Sequence, residues 1–103
     1  MENILLIADN PHYQRALAKA IEPVYNFDYC PNDRGMLSRL KEKEYQVILL
    51  ALYQTDSENI LDSLRQIKLI SPFTPVITIS EIEETSLIVE VIREGAFDFI
   101  AKP

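Results

Sequence analysis

Short apolar runs alternate with amphipathic segments along the whole sequence, and this alternation constrains the fold more than any other feature. Three of the runs are nearly continuous and rich in branched side chains: Ile4–Ile7, Val47–Leu52 and Val76–Ile79. Such runs are typical of strands buried on both faces of a sheet. Shorter runs at Phe27–Cys30 and Phe97–Ala101 complete five predicted strands, of which the most apolar, Val47–Leu52, belongs at the sheet centre.

Four helices are predicted between these strands from apolar residues spaced three and four apart. The first runs from about Pro11 to Ile21, and Asn32 and Ser57 are placed to cap the second and third. Gly95 lies where a left-handed C-cap ends the fourth helix. The apolar faces of the last three comprise Met36, Leu37 and Leu40; Ile60, Leu61, Leu64 and Ile67; and Leu87, Ile88, Val91 and Ile92. Strict alternation with short connections predicts an α/β fold, an open parallel sheet covered by helices on both faces.

Composition narrows the class of protein further. A length of 103 residues allows one domain, spanning 1–103, and excludes a two-domain enzyme. Two glycines are too few for the turns of a β-sandwich, and a net charge of −6 argues against a nucleic-acid surface. The single cysteine, Cys30, rules out an internal disulfide, and no apolar run or leader suggests membrane insertion or export. We therefore expect a cytoplasmic protein with no membrane contact.

Polar residues follow four of the predicted strands where each strand ends. They occur in the segments Ala8-Asp9, Ala51–Thr55, Ser80-Glu81 and at Lys102. The carboxyl ends of parallel strands meet at one edge of an open sheet, where sites form near the reversal of strand order. The sequence therefore predicts one site at this edge.

Four segments that contain these strand ends resemble the receiver domain of two-component response regulators. They are ILLIADN at 4–10, VILLAL at 47–52, PVITIS at 75–80 and GAFDFIAKP at 95–103. The resemblance implies a flavodoxin-like sheet of strand order 2-1-3-4-5. The last segment is similar to receivers of sigma-54-dependent transcription activators, which implies a role in transcription regulation.

The receiver mechanism needs two adjacent acids after the first strand and an aspartate at the end of the third. These acids hold a divalent metal, usually magnesium, and the third-strand aspartate accepts a phosphoryl group from a histidine kinase. In this sequence Ala51 occupies the phosphoacceptor position and Ala8 replaces the first acid. Glu81 stands where the family has a small residue, and Thr55 and Asn59 depart from the usual proline and glycine. The remaining matches are Asp9, Ser80, Lys102 and the switch aromatic Phe99.

A charge count shows why these losses are mutually consistent. A complete site carries three carboxylates and one lysine, and a divalent cation balances it. Asp9 and Lys102 alone sum to zero, so neutrality needs no metal, and hard cations prefer several oxygen ligands. We expect weak or no magnesium binding, no cofactor, and a pairing of Asp9 with Lys102, either directly or through water.

The sequence thus predicts a non-enzymatic regulatory module that is not phosphorylated at the usual aspartate and acts through protein contacts. In receivers, the surface around the fourth helix and the fifth strand carries the output, which here corresponds to Val91, Ile92, Phe97 and Phe99 or their neighbours. Three alternatives stay open: a small-anion sensor that uses Lys102 and Ser80, phosphorylation at another acid, Asp9 or Asp56, and a spacer that only aids dimerisation. The partners expected are another protein, downstream domains of the same protein, or a second copy.

Other reactive residues have simpler interpretations. His12 has no companion residue for triad or metal chemistry and is expected to face solvent at the start of a helix. The acids from Glu81 to Glu84 fit a helix N-terminus, with a lid over the pocket as the alternative. No glycine-rich phosphate loop is present. Receivers carry a fifth helix after the Lys102-Pro103 pair, so we expect either further sequence or a second copy to cover that sheet face.

Overall fold

The computed structural model describes residues 3–9, 19, 26–31, 35–52, 57–81 and 84–101. Five strands and three helices lie within these ranges. The strands are β1 (Asn3–Ala8), β2 (Asn26–Pro31), β3 (Val47–Ala51), β4 (Val76–Ser80) and β5 (Asp98–Ala101). The helices are α1 (Gly35–Glu42), α2 (Ser57–Ile70) and α3 (Thr85–Arg93). No helix in the described part of the chain is long and apolar enough to cross a membrane.

The strands form one sheet of order β2-β1-β3-β4-β5, and all neighbouring strands are parallel. This order confirms the predicted flavodoxin-like sheet. The predicted strand bounds agree with the structure to within one residue at each end. They agree best for β1, β3 and β4, which are nearly continuous apolar runs.

One face of the sheet packs against all three described helices. Leu5 and Ile7 of β1 and Ile48 and Leu50 of β3 point into this layer and are fully buried. The helices contribute Met36, Leu40, Ile60, Leu61, Leu64, Ile67, Leu87 and Val91 to the same cluster. We call this group the helix-face core.

The opposite face carries a smaller apolar group. Its buried members are Leu6, Ala8, Ala51 and Ile79, and Tyr29, Leu49 and Ile77 pack partly buried against it. We call this group the second-face cluster. The helix predicted from Pro11 to Ile21 lies outside the described residues except for Lys19, so its packing stays a prediction.

The end of α3 confirms the predicted glycine cap. Gly95 has a φ of +109°, the one positive φ among the described residues. Its N–H donates to the carbonyl of Ile92 at 3.1 Å, and the N–H of Ala96 donates to the carbonyl of Val91 at 3.2 Å. This pair of bonds is a Schellman motif, which a residue without a Cβ adopts at least cost. Ser57 is the first residue of α2, and the proposed cap Asn32 lies outside the described residues.

Candidate functional site

The predicted site residues that the structure describes meet at the carboxyl edge of the sheet. Ala8 of β1 is the register partner of Ala51 of β3. The N–H of Asp9 donates to the carbonyl of Ala51 at 3.3 Å, which holds Asp9 directly beside the end of β3. On the other side of β3, the N–H of Leu52 donates to the carbonyl of Ile79 at 3.0 Å. The topology thus brings three strand ends together as the sequence predicted.

Alanine methyl groups occupy the two central positions of this edge. Ala51 is 0% exposed and Ala8 is 1% exposed. Both belong to the second-face cluster, together with Leu6 and Ile79. A methyl group offers neither a nucleophile nor a metal ligand, so at these positions the edge is an extension of the apolar core.

The polar residues around the two alanines differ in exposure. Ser80, at the end of β4, is fully buried, Asp9 is half-buried and Glu81 is exposed. Asn59 is exposed on α2. Four other residues considered in the sequence, His12, Thr55, Asp56 and Lys102, lie outside the described residues. Their roles, including the ion pair of Lys102 with Asp9, remain predictions.

The residues expected around the last helix and strand lie in different environments. Val91 is fully buried in the helix-face core, as its place in the predicted apolar stripe implies, so it does not contribute to an exposed surface. Ile92 is 44% exposed and Phe97 is 74% exposed, whereas Phe99 is half-buried against the helix-face core. Val89 is also exposed. The apolar stripe of α3 is wide enough that the pattern alone did not separate its buried side from its exposed side.

A polar cluster that the sequence analysis missed lies on the helix face beside β2. The Tyr45 hydroxyl donates to Oδ2 of Asp28 at 2.8 Å, and Nζ of Lys43 lies 3.0 Å from the same oxygen. The Lys43 ammonium also lies 5.6 Å from the centroid of the Tyr45 ring. The signal was Asp28 itself, because a carboxylate inside an apolar strand needs a partner.

This cluster shifts the pKa of two of its members. The hydrogen bond from Tyr45, with smaller contributions from Lys43 and Arg39, lowers the pKa of Asp28 despite its partial burial. Burial and the bond to Asp28 raise the pKa of Tyr45 to about 12. Tyr45 therefore stays protonated and serves as a hydrogen-bond donor. The cluster fixes the segment before β3 and has no base suited to catalysis.

Among residues 3–9, 26–31, 35–52, 57–81 and 84–101, no three His, Cys, Asp or Glu side chains are grouped closely enough to hold a metal ion. At the carboxyl edge, Asp9 follows Ala8 and its backbone lies beside that of Ala51, and neither alanine side chain offers a ligand atom. This donor set does not fit a magnesium ion, which prefers an octahedron of oxygen ligands.

Comparisons with known proteins agree with this topology. The chain is 26% identical over 102 residues to the chemotaxis protein CheY of Thermotoga maritima, covering 96% of this chain and 84% of the relative. It is 25% identical over 79 residues to the transcriptional regulatory protein ZraR of Escherichia coli O157:H7, covering 77% of this chain. The match spans only 18% of the length of ZraR.

Solved structures of response regulators superpose on this chain over its full length. A response regulator from Thermotoga maritima superposes with a TM-score of 0.88 at 21% identity, over 100% of this chain and 86% of that chain. The beryllofluoride-activated NtrC4 receiver domain dimer superposes with a TM-score of 0.84 at 26% identity, over 100% of this chain and 85% of that one. The family model for the response regulator receiver domain matches residues 4–103. The chain therefore belongs to the response regulator receiver domain family.

Proposed function

We propose that this chain is a receiver domain that has lost phosphoryl transfer and regulates through protein contacts. The observation that carries the proposal is the environment of Ala51, which occupies the position of the phosphoacceptor aspartate in the receiver pattern. Its methyl group is fully buried beside Ala8, in a cluster with Leu6 and Ile79. A phosphoryl group has no acceptor atom at this position.

The replacement of two receiver carboxylates by alanine supports the same proposal. Ala8 and Ala51 remove two of the three carboxylates that a receiver uses, and the described residues offer no alternative cluster. In this proposal Lys102 balances the charge of Asp9, so these two groups need no cation. An ion pair at a solvated edge contributes only about 0–1 kcal/mol, so we assign it a positioning role.

Intact-mass measurement after incubation with acetyl phosphate and magnesium tests the loss of phosphoryl transfer. We expect the wild-type chain to gain no phosphoryl mass. The matched control is the double variant Ala8→Asp with Ala51→Asp, which restores the three adjacent acids. Gain of mass by the wild-type chain would contradict the proposal, and Asp9→Asn and Asp56→Asn variants would then locate the modified acid.

Magnesium titration followed by amide NMR tests the second part. We expect no saturable shift centred on Asp9 in the wild-type chain, and a saturable one in the double variant. Tight binding at Asp9 in the wild type would show that the remaining carboxylate suffices for a metal site, and the proposed loss would be wrong.

Regulation through protein contacts is supported by the exposed apolar residues Val89 and Ile92 on α3 and Phe97 before β5. The relative ZraR is a transcriptional regulatory protein, and the NtrC4 receiver domain forms a dimer. We infer that this chain serves as the regulatory domain of a transcription regulator of the sigma-54-dependent type, and that it is not an enzyme.

Photo-crosslinking from two positions of α3 tests this surface. A crosslinker at the exposed Ile92 should capture a regulator domain or its partner, whereas one at the exposed Glu90 should capture much less. Equal capture at both positions would show that α3 does not provide the contact. A thermal-shift screen with small anions tests the remaining alternative, and stabilisation that Ser80→Ala abolishes would favour an anion sensor.

A further inference from the structure

A groove lies at the opposite edge of the sheet from the site described above. It encloses about 700 Å³ between two chain segments at the amino ends of β3 and β4. One wall is formed by residues 40–46, between α1 and β3, and the other by residues 70–75, between α2 and β4. The groove is separate from the carboxyl edge that carries Ala8, Ala51 and Ser80.

Both walls are fixed to the sheet by hydrogen bonds. The N–H of Gln46 donates to the carbonyl of Asn3 at 2.9 Å, and Tyr45 is held by Asp28. The carbonyl of Pro75 accepts from the N–H of Ile48 at 3.0 Å. The groove therefore exists before anything binds, and a ligand would not have to order it.

An exposed aromatic ring stands on the wall of this groove. Phe73 lines the groove and is 96% exposed. A phenyl ring gains most when it enters a preformed cavity, because aromatic side chains bury a large apolar area. A projecting ring beside a cavity on the same surface has the self-complementary form that a two-fold interface requires.

Charges on the other wall match a second copy of the same chain. The charged residues that line the groove are Lys41, Glu42, Lys43 and Glu44, which sum to zero although the chain as a whole carries −6. Two copies of a chain with a net charge of −6 repel each other on average, whereas the four charged residues of this rim add no net repulsion. All four residues are exposed.

The order of these charges also fits two-fold symmetry. If two copies of the segment 41–44 cross antiparallel, Lys41 of one chain faces Glu44 of the other, and Glu42 faces Lys43. Lys43 already bonds Asp28. The pair between Lys41 and Glu44, which occurs twice in a symmetric dimer, is therefore the contact that can be tested.

We propose that this groove is a homodimer interface, in which Phe73 of each chain enters the groove of the other and Lys41 pairs with Glu44 across the two-fold axis. The interface is small, since the walls comprise thirteen residues. We expect a reversible dimer with a Kd between about 1 µM and 1 mM, the range of weak, transient interfaces.

Sedimentation velocity of the 103-residue chain, from about 10 µM to 1 mM, tests the dimer across that range. We expect Phe73→Ser to raise the Kd of the dimer about tenfold or more, because it removes the aromatic anchor of the interface. The matched control is Leu69→Ser, since Leu69 is also a large apolar residue, 83% exposed, but does not line the groove. A wild-type chain that stays monomeric throughout overturns the proposal, as does a dimer that Leu69→Ser weakens as much as Phe73→Ser does.

Charge reversal tests the symmetry itself. Lys41→Glu should weaken the dimer about three- to tenfold, because it faces Glu44 of the mate. Adding Glu44→Lys in the same chain restores opposite charges across the axis and should return the Kd to within about twofold of wild type. A double variant no better than the single one overturns the pairing. These variants leave Ala51, Asp9 and α3 unchanged, so their outcome is independent of the proposed loss of phosphoryl transfer.

Discussion

The two faces of the sheet differ in which elements pack against them. On one face, apolar side chains of the strands pack against residues of α1, α2 and α3 to form the helix-face core. On the other face, every described member of the second-face cluster comes from a strand. Leu49 and Ile77 are only half-buried there, and Ile100 is 42% exposed. Among the described residues, the helix face of this sheet is therefore packed more extensively than the opposite face.

Two adjacent leucines of β3 measure this difference directly. Leu50 is fully buried on the helix face, and Leu49 points to the other face. Leu50→Ala should lower the free energy of unfolding by about 2–5 kcal/mol, the cost of lost burial plus a cavity. Leu49→Ala should cost about half as much, because its site is partly open to water.

Urea denaturation of both variants gives the comparison. The two substitutions are chemically identical and one residue apart on the same strand, so the difference between their effects reports the packing of the two faces. Equal losses would mean that the second face is packed as tightly as the first, contrary to the exposures of Leu49 and Ile77.

The two glycines, Gly95 and Gly35, lie at opposite kinds of helix end and allow a second comparison. Gly95 ends α3 with a positive φ, and an added Cβ would lie 3.2 Å from Cε of Lys68. Gly95→Ala should cost about 1–3 kcal/mol, mainly from backbone strain, since the Lys68 side chain can move. Gly35 begins α1 without a positive φ, so Gly35→Ala should be neutral or slightly stabilising.

Thermal unfolding of the two glycine variants separates these effects. A Gly95→Ala protein as stable as wild type would show that the Schellman motif is not needed to dock α3. If Lys68→Ala recovers most of the loss, the contact with Lys68 and not the backbone is the cause.

The helix-face core, although better packed, contains a polar defect. Thr78 of β4 is fully buried, and its hydroxyl has no hydrogen-bond partner in the described part of the chain. A buried hydroxyl without a partner costs about 1–3 kcal/mol. Thr78→Val keeps the shape and removes the hydroxyl, so it should raise the free energy of unfolding by about 1–2 kcal/mol.

The control for this prediction is Thr85→Val, because Thr85 is exposed at the start of α3 and its replacement should change stability by less than about 0.5 kcal/mol. A Thr78→Val protein less stable than wild type, measured by urea denaturation, would show that the hydroxyl contributes a favourable interaction in solution.

The same contrast explains what the sequence could and could not predict. Strands and their order followed from apolar runs and from the family resemblance, and Gly95 was found because a C-cap has a local signature. The predicted stripe of α3 contains both Val91, which is buried, and Ile92, which is exposed. Which of the two is buried depends on the rotation of α3 about its axis, which a stripe of four apolar residues does not fix. Asp28 and Tyr45 are seventeen residues apart, and the groove arises where two connecting segments meet. Contacts of that kind depend on tertiary structure and have no local pattern.

The polar cluster at the rim of the helix-face core gives the smallest expected effect, and pH makes it visible. The folded-state pKa of Tyr45 is about 12, above its ordinary value of 10.0. The folded state therefore holds this proton more tightly than the unfolded state, and the stabilisation is complete below pH 10 and lost as the pH rises towards 12. Tyr45→Phe should cost about 1 kcal/mol at neutral pH, because a hydrogen bond to a half-exposed carboxylate is lost. Across pH 10–12 the variant should lose less stability than wild type.

In acid, Asp28 acts in the opposite sense. The pKa of Asp28 is lowered from its ordinary value of 3.8, so Asp28 stabilises the fold above pH 3.8, and this stabilisation is lost as the pH falls below that value. Because Tyr45 is the largest cause of that shift, the variant's acid loss should also be shallower. Denaturation curves at alkaline, neutral and acid pH that differ from wild type by one constant amount would show that Tyr45 contributes only packing and that its bond to Asp28 is not formed in solution.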